Sequence, residues 1–113
     1  MYLGAQKPFF EALLKLGIET RIRALQEFYG GMKKADWDVG IAVDAIRISP
    51  SVDTIVLASG DGDFLQVVEY LKNQGKRVEI IAFGKSASSN LKRDADEFID
   101  LGKDLDRYLL RNK

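Results

Sequence analysis

Residues 54–84, TIVLASGDGDFLQVVEYLKNQGKRVEIIAFG, place two strand-length apolar runs on either side of a single amphipathic segment. Phe64, Val67, Val68 and Leu71 fall at helical spacing between the runs, and Gly75 stands where a left-handed helix cap belongs. Two strands joined by one helix lie parallel in one sheet, connected by a right-handed crossover. TIVLAS (54–59) is apolar almost throughout, which predicts a strand covered on both faces.

The same alternation extends in both directions. Pro8 suits the first turn of a helix, and Phe9, Phe10, Leu13, Leu14 and Leu16 keep helical spacing until Gly17, which predicts a helix over about 7–16. IETRIRAL then alternates strictly, with Ile18, Thr20, Ile22 and Ala24 on one side, as a half-wet edge strand does. KKADWDVGIAVDAIRI sets Trp37, Ile41, Ala45 and Ile48 on one stripe and reads as a second helix ended by SPS. SASSNLKRDAD predicts a short helix or turn, EFIDL a short strand and KDLDRYLLRNK a terminal helix. The expected fold is α/β: a Rossmann-like three-layer sandwich around a mainly parallel sheet, in a single domain spanning residues 1–113.

Two absences narrow the chemistry. With no cysteine there is no disulfide framework, thiol nucleophile or cysteine zinc site; with no histidine there is no Ser-His triad or imidazole ligand. Any chemistry falls to carboxylates, lysines and hydroxyls, and oxygen-only ligands suit hard cations such as magnesium or manganese. The 17 basic residues balance the 17 acidic ones, so attraction to a polyanion has to come from local patches. Apolar runs are too short for a membrane span or a signal peptide, and the expected location is cytoplasmic.

Ligands of open parallel sheets bind beyond the carboxyl ends of the strands. Asp61 and Asp63 follow TIVLAS directly and stand at that edge, whereas Asp53 precedes the strand and is discounted. Asp63, with Gln66 three residues on, also reads as a capping box, and the glycines beside Asp61 are compatible with a plain turn. On the second helix Asp38 shares a face with Ile41, Ala42 and Ala45. Asp44 is rotated from it by roughly 120° around the axis, so Asp38 is the better ligand. Asp36 and Asp38 also suit a helix N-terminus, and Lys34 with Asp38 suits a solvated ion pair. Lys33, Lys34, Lys85, Lys92 and Arg93 fall on loops at the same edge and together form a candidate phosphate-binding rim.

KKADWDVGIAVDAI, then DTIVLASGDGDFLQVVEYLKNQGKRVEIIAFG, then SSNLKRDADEFIDL closely resemble the NYN domains of the LabA-like group, relatives of PIN-domain nucleases. The likeness runs from about residue 18 to 101, and SGDGDF followed by ADEFIDL makes it specific. It implies a PIN-like fold and a ribonuclease site dependent on magnesium or manganese, with single-stranded RNA the expected partner. Position by position, Asp38, Asp61 and Asp63 match acidic family positions expected to bind metal and act in catalysis. Asp44 and Asp96 match further acids with less defined roles. Lys34, Lys85, Lys92 and Arg93 are the expected RNA contacts. Family members begin with a strand ending in an Asp-x-x-Asn motif, which has no counterpart before Met1. The expectation is a longer gene, and for this chain a homodimer through the exposed sheet edge.

Two rival readings come from other classes. A non-catalytic regulatory or RNA-binding domain would keep fold and acids without turnover. A receiver- or phosphatase-type phosphoryl-transfer domain also places aspartates at strand ends, but its phospho-accepting aspartate has no clear counterpart.

Overall fold

The computed structural model describes residues 6–20 and 34–110. The chain divides into two compact units, residues 1–34 and 35–113. In the first, α1 (Lys7–Lys15) opens with its proline in the first turn, where the missing N–H costs nothing. Phe9 and Phe10 meet edge to face at 5.7 Å, and Phe9, Leu14 and Leu16 remain exposed. Of the expected strand over 18–25, residues 18–20 carry no regular element and 21–25 lie outside the described residues.

The second unit takes in α2 (Lys34–Ile48) from Ala35 onward, a 3-10 turn (Ser49–Ser51), β1 (Thr54–Leu57), a second 3-10 turn (Gly62–Phe64) and α3 (Leu65–Asn73). It continues with β2 (Arg77–Ala82), α4 (Ser89–Asp94), β3 (Glu97–Asp100) and α5 (Leu105–Tyr108). The three strands lie in the order β1-β2-β3, all parallel, with Ile55 opposite Val78 and Ile80 opposite Phe98. The α/β class and parallel sheet are as the alternation of patterns requires.

One face of the sheet builds the core. Ile55, Val78, Ile80 and Ala82 point inward from the strands and meet Phe64, Val67, Val68 and Leu71 from α3 and its lead-in turn, with Leu91 from α4. Ala42 and Ala45 pack against the same core, their small side chains letting α2 approach closely. Gly75 holds φ +82°, and its turn lets the Lys76 N–H reach back to the Leu71 carbonyl at 3.0 Å, closing α3 as a glycine cap should.

Coverage of β1 on both faces does not hold. Ile55 is buried while Val56 is 51% exposed. Among the described residues β1 has a ladder partner on one side only, and its outer face continues into the charged row of Arg77, Glu79 and Glu97, in which Arg77 pairs with both glutamates. The terminal helix is also shorter than expected, because Leu109 turns to extended backbone.

Candidate metal centre

The carboxyl ends of β1, β2 and β3 lead into three turns at one edge of the sheet. The first is Ser59–Gly60–Asp61–Gly62–Asp63. Here the Asp61 N–H donates to Ser59 Oγ at 3.2 Å, and Asp61 Oδ1 accepts the Asp63 N–H at 2.9 Å. The Phe64 N–H returns to the Asp61 carbonyl at 3.1 Å. Asp61 is therefore the N-cap of the 3-10 turn that precedes α3. The capping box expected of Asp63 and Gln66 does not form, because that turn moves the cap two residues back and leaves Asp63 inside it.

Gly60 is required where it stands. A Cβ there would lie 2.9 Å from both Cα and Cβ of Ala87 and 3.3 Å from Cβ of Ala82. The second turn, residues 83–88, is thus seated directly on the first, and the Ser88 N–H donates to the Gly60 carbonyl at 2.8 Å.

Helix α2 brings Asp38 to the same place. One carboxylate oxygen from each of Asp38, Asp61 and Asp63 lies within 4.8 Å of the others. Asp38 and Asp61 are half-buried and Asp63 is exposed. Three like charges so close repel one another unless a cation joins them. An all-carboxylate donor set of this span fits a hard divalent cation, whose oxygen ligands stand at roughly 2.0–2.1 Å for magnesium. A groove of about 470 Å³ opens from Asp38 and Asp63 and runs between α2 and α3, walled by Ala42, Ile46, Val67 and Tyr70.

Residues 1–105 match the NYN domain family. The chain belongs to that family. It is 30% identical over 102 residues to the low amplitude and bright protein LabA of Synechococcus elongatus, covering 85% of this chain and 55% of LabA. It is 34% identical over 113 residues to an uncharacterized protein of Methanocaldococcus jannaschii, covering 96% of this chain and 43% of that protein. The chain thus spans about half the length of the curated relatives it matches. A crystal structure of a protein of unknown function from Vibrio parahaemolyticus superposes with a TM-score of 0.76 at 35% identity. That match covers 89% of this chain and 63% of the other, and it is consistent with a PIN-like fold. NYN domains belong to a nuclease superfamily whose members generally depend on divalent metal, which gives the acidic cluster of this NYN chain a chemical context.

The remaining acids of the sequence reading stand elsewhere. Asp44 is ion-paired with Arg47, one turn along α2. Asp96 sits at the opposite, amino-terminal edge of the sheet: its Oδ2 accepts the Val78 N–H at 2.8 Å and its own N–H donates to the Val78 carbonyl at 2.8 Å. That carboxylate extends the β2–β3 ladder by one bond and is far along the strands from the SGDGD turn.

Of the expected RNA contacts, Lys34 opens α2, but its side chain lies outside the described residues, as does Lys33 altogether. Lys85 is exposed in the 83–88 turn. Lys92 Nζ donates to the Gly84 carbonyl at 2.5 Å, and Arg93 bonds Asn90 at 2.9 Å and Asp94 at 3.4 Å.

Asp100, at the carboxyl end of β3, escaped the sequence reading. Its Oδ1 accepts the N–H groups of Gly84 at 2.9 Å and Gly102 at 2.8 Å. These bonds, Gly84 foremost and Gly102 next, hold its carboxyl below the usual carboxylate range; slight burial opposes them, and Lys103 and Lys92 add attraction. A signal was present: in EFIDLG an acid closes a short strand two residues before a glycine, at the same carboxyl edge as Asp61.

Proposed function

We propose that this chain, as a single NYN-type domain, is a metal-dependent ribonuclease that hydrolyses phosphodiesters of single-stranded RNA, with Asp38, Asp61 and Asp63 holding magnesium or manganese. The observation that carries the reading is the convergence of three carboxylate oxygens within 4.8 Å, from α2 and the β1–α3 turn, in a chain of the NYN family. When bound, the cation supplies acidity to a water and neutralises charge on the phosphate and the leaving oxygen. The protein's own part is positional. Asp61 is held in one orientation by the Asp63 N–H, so a ligand oxygen is fixed before any cation arrives. Asp38 is carried by a helix whose alanines are packed on the core, which fixes its distance from the turn. Lys85 and Arg93 are the cations offered to flanking phosphates. The reading includes a homodimer formed through the β1 edge, and sedimentation velocity tests that part: a monomer at micromolar concentration overturns it.

Cleavage of a labelled single-stranded RNA in manganese tests the activity, with EDTA and Asp61→Asn as paired controls. Cleavage that requires manganese and is lost in Asp61→Asn is expected. Cleavage unchanged in that variant overturns the role of Asp61. RNA bound in EDTA but never cut would favour a non-catalytic RNA-binding domain.

A further inference from the structure

We propose that Asp100 is a positioning residue for the Asp38, Asp61 and Asp63 site, acting through the 83–88 turn on which the SGDGD turn is seated. The inference rests on the proposed metal site for its functional meaning, but its structural content stands on contacts of its own.

The contacts form an unbroken series. Asp100 Oδ1 accepts two backbone N–H groups, from Gly84 and Gly102, and so ties the end of β2 to the end of β3. Gly84 has no room for a side chain, since a Cβ there would lie 2.1 Å from Asp100 Oδ2. The Gly84 carbonyl is held from the other side by Lys92 Nζ at 2.5 Å. With both its N–H and its C=O committed, Gly84 is a fixed start for the turn that follows. That turn closes on itself through the Ser86 and Ala87 N–H groups, which donate to the Phe83 carbonyl at 3.1 and 3.0 Å. Its far end is pressed on the metal-site turn: Ala87 fills the space over Gly60, Ser88 Oγ would stand 3.1 Å from a Cβ on Gly62, and the Ser88 N–H donates to the Gly60 carbonyl. Asp61 stands between those two glycines.

A displacement of Gly84 therefore has a direct path to the spacing of the cluster. Local hydrogen bonds from Ser59 to Phe64 shape the SGDGD turn, and at Gly60 it is supported from outside by Ala82, Ala87 and Ser88. Outer partners that orient metal ligands typically change affinity by 10- to 100-fold when removed. Lys92, expected to contact RNA, has one of its three donors in this latch, where loss of its amine would loosen Gly84.

The test compares wild type, Asp100→Ala, Asp100→Asn and Gly60→Ala by amide hydrogen exchange and amide chemical shifts without metal, and by manganese titration. In Asp100→Ala, Gly84 and Gly102 should lose protection, and so should the Ser88 amide, with shifts at Asp61 and Asp63, while the Val78 and Ile80 amides keep theirs. Asp100→Asn retains an acceptor oxygen and should restore most of the Ser88 protection. Gly60→Ala, pushing on Ala87 from the other side, should move Ser88, Asp61 and Asp63 but leave Gly102 protected. Manganese affinity should fall about tenfold or more in Asp100→Ala and recover in part in Asp100→Asn. Loss confined to Gly84 and Gly102, with Ser88, Asp61 and Asp63 unmoved, overturns the proposal. If no variant, wild type included, binds manganese, the metal reading fails, and the exchange pattern still decides the latch.

Discussion

The Asp63 N–H donates to Asp61 Oδ1 at 2.9 Å, so the two carboxylates of the SGDGD turn are not equivalents. Asp61 is both the cap of the 3-10 turn and a member of the acidic cluster, while Asp63 contributes to the cluster from inside the turn. One residue thus couples the stability of the α3 lead-in to the geometry of the candidate metal centre.

That coupling separates two substitutions at Asp61. Asparagine caps about as well as aspartate, whereas alanine loses roughly 1 kcal/mol of helix-start stability. Asp61→Ala should therefore shift the denaturation midpoint measurably and Asp61→Asn should not, although both remove a charge from the acidic cluster. Asp63→Ala should fall within about 0.5 kcal/mol of wild type, as an exposed residue without a capping role does. Equal destabilisation by Asp61→Ala and Asp63→Ala in urea unfolding would contradict the assignment of the cap.

The acidic cluster was partly legible in the sequence. Hydrophobic periodicity located β1, α3 and β2, and parallel connections by single helices put Asp61 and Asp63 at the carboxyl edge of the sheet, because both inferences use only local pattern and chain topology. Asp38 followed from its helical face. What escaped was set by contacts distant in the chain. The cap stands at Asp61 because a 3-10 turn precedes α3, and Gly60 is seated against Ala87, a neighbour that periodicity cannot reveal. Asp96 matched a further acid of the family, yet its carboxylate accepts the N–H of Val78, eighteen residues earlier. The apolar run of β1 suggested two covered faces, but composition does not say how many neighbours a strand has, and Val56 is exposed.

The difference between the buried core side of the sheet and the exposed outer side of β1 predicts unequal packing costs. Leu71, 2% exposed in the core, should lose about 2–5 kcal/mol on substitution by alanine. Val56→Ala, on the outer face, should lie within about 0.5 kcal/mol of wild type. A Val56→Ala variant as damaging as Leu71→Ala in thermal unfolding would show that face to be covered.

A cation bound only by the folded chain stabilises it by mass action, roughly 2.7 kcal/mol at a concentration a hundred times Kd. Manganese should therefore raise the melting temperature of wild type by several degrees, and EDTA should reverse the rise. Asp38→Asn removes one of the three charges without disturbing the Asp61 cap and should abolish most of the shift. An equal rise in Asp38→Asn, read by differential scanning fluorimetry, would exclude Asp38 from the site.

The lowered pKa of Asp100 fixes the sign of a pH effect. A carboxyl whose folded value lies below its unfolded value contributes stability above the unfolded pKa, about 3.9, and loses it as the pH falls through the folded value. The difference in unfolding midpoint between wild type and Asp100→Asn should be constant near neutral pH and shrink only below about pH 4. A difference that instead vanishes between pH 7 and 5 would assign the effect to another group.

Gly84 and Asp100 together give the sharpest test of packing at this edge. A Cβ on Gly84 would meet Asp100 Oδ2 at 2.1 Å and Cγ at 2.8 Å, and the carboxylate cannot swing aside without giving up the N–H groups of Gly84 and Gly102. Gly84→Ala alone should thus cost about 1–3 kcal/mol, the usual penalty for overpacking. Once Asp100 is truncated to alanine the obstruction is gone, so the double variant Gly84→Ala with Asp100→Ala should be no less stable than Asp100→Ala alone. The coupling between the two substitutions should then nearly equal the whole cost of Gly84→Ala, a large departure from additivity that a double-mutant cycle in urea measures directly. Additive losses would mean that the alanine is rejected by something other than the Asp100 carboxylate, and the contact between the β2 and β3 ends would lose its place as the constraint on Gly84.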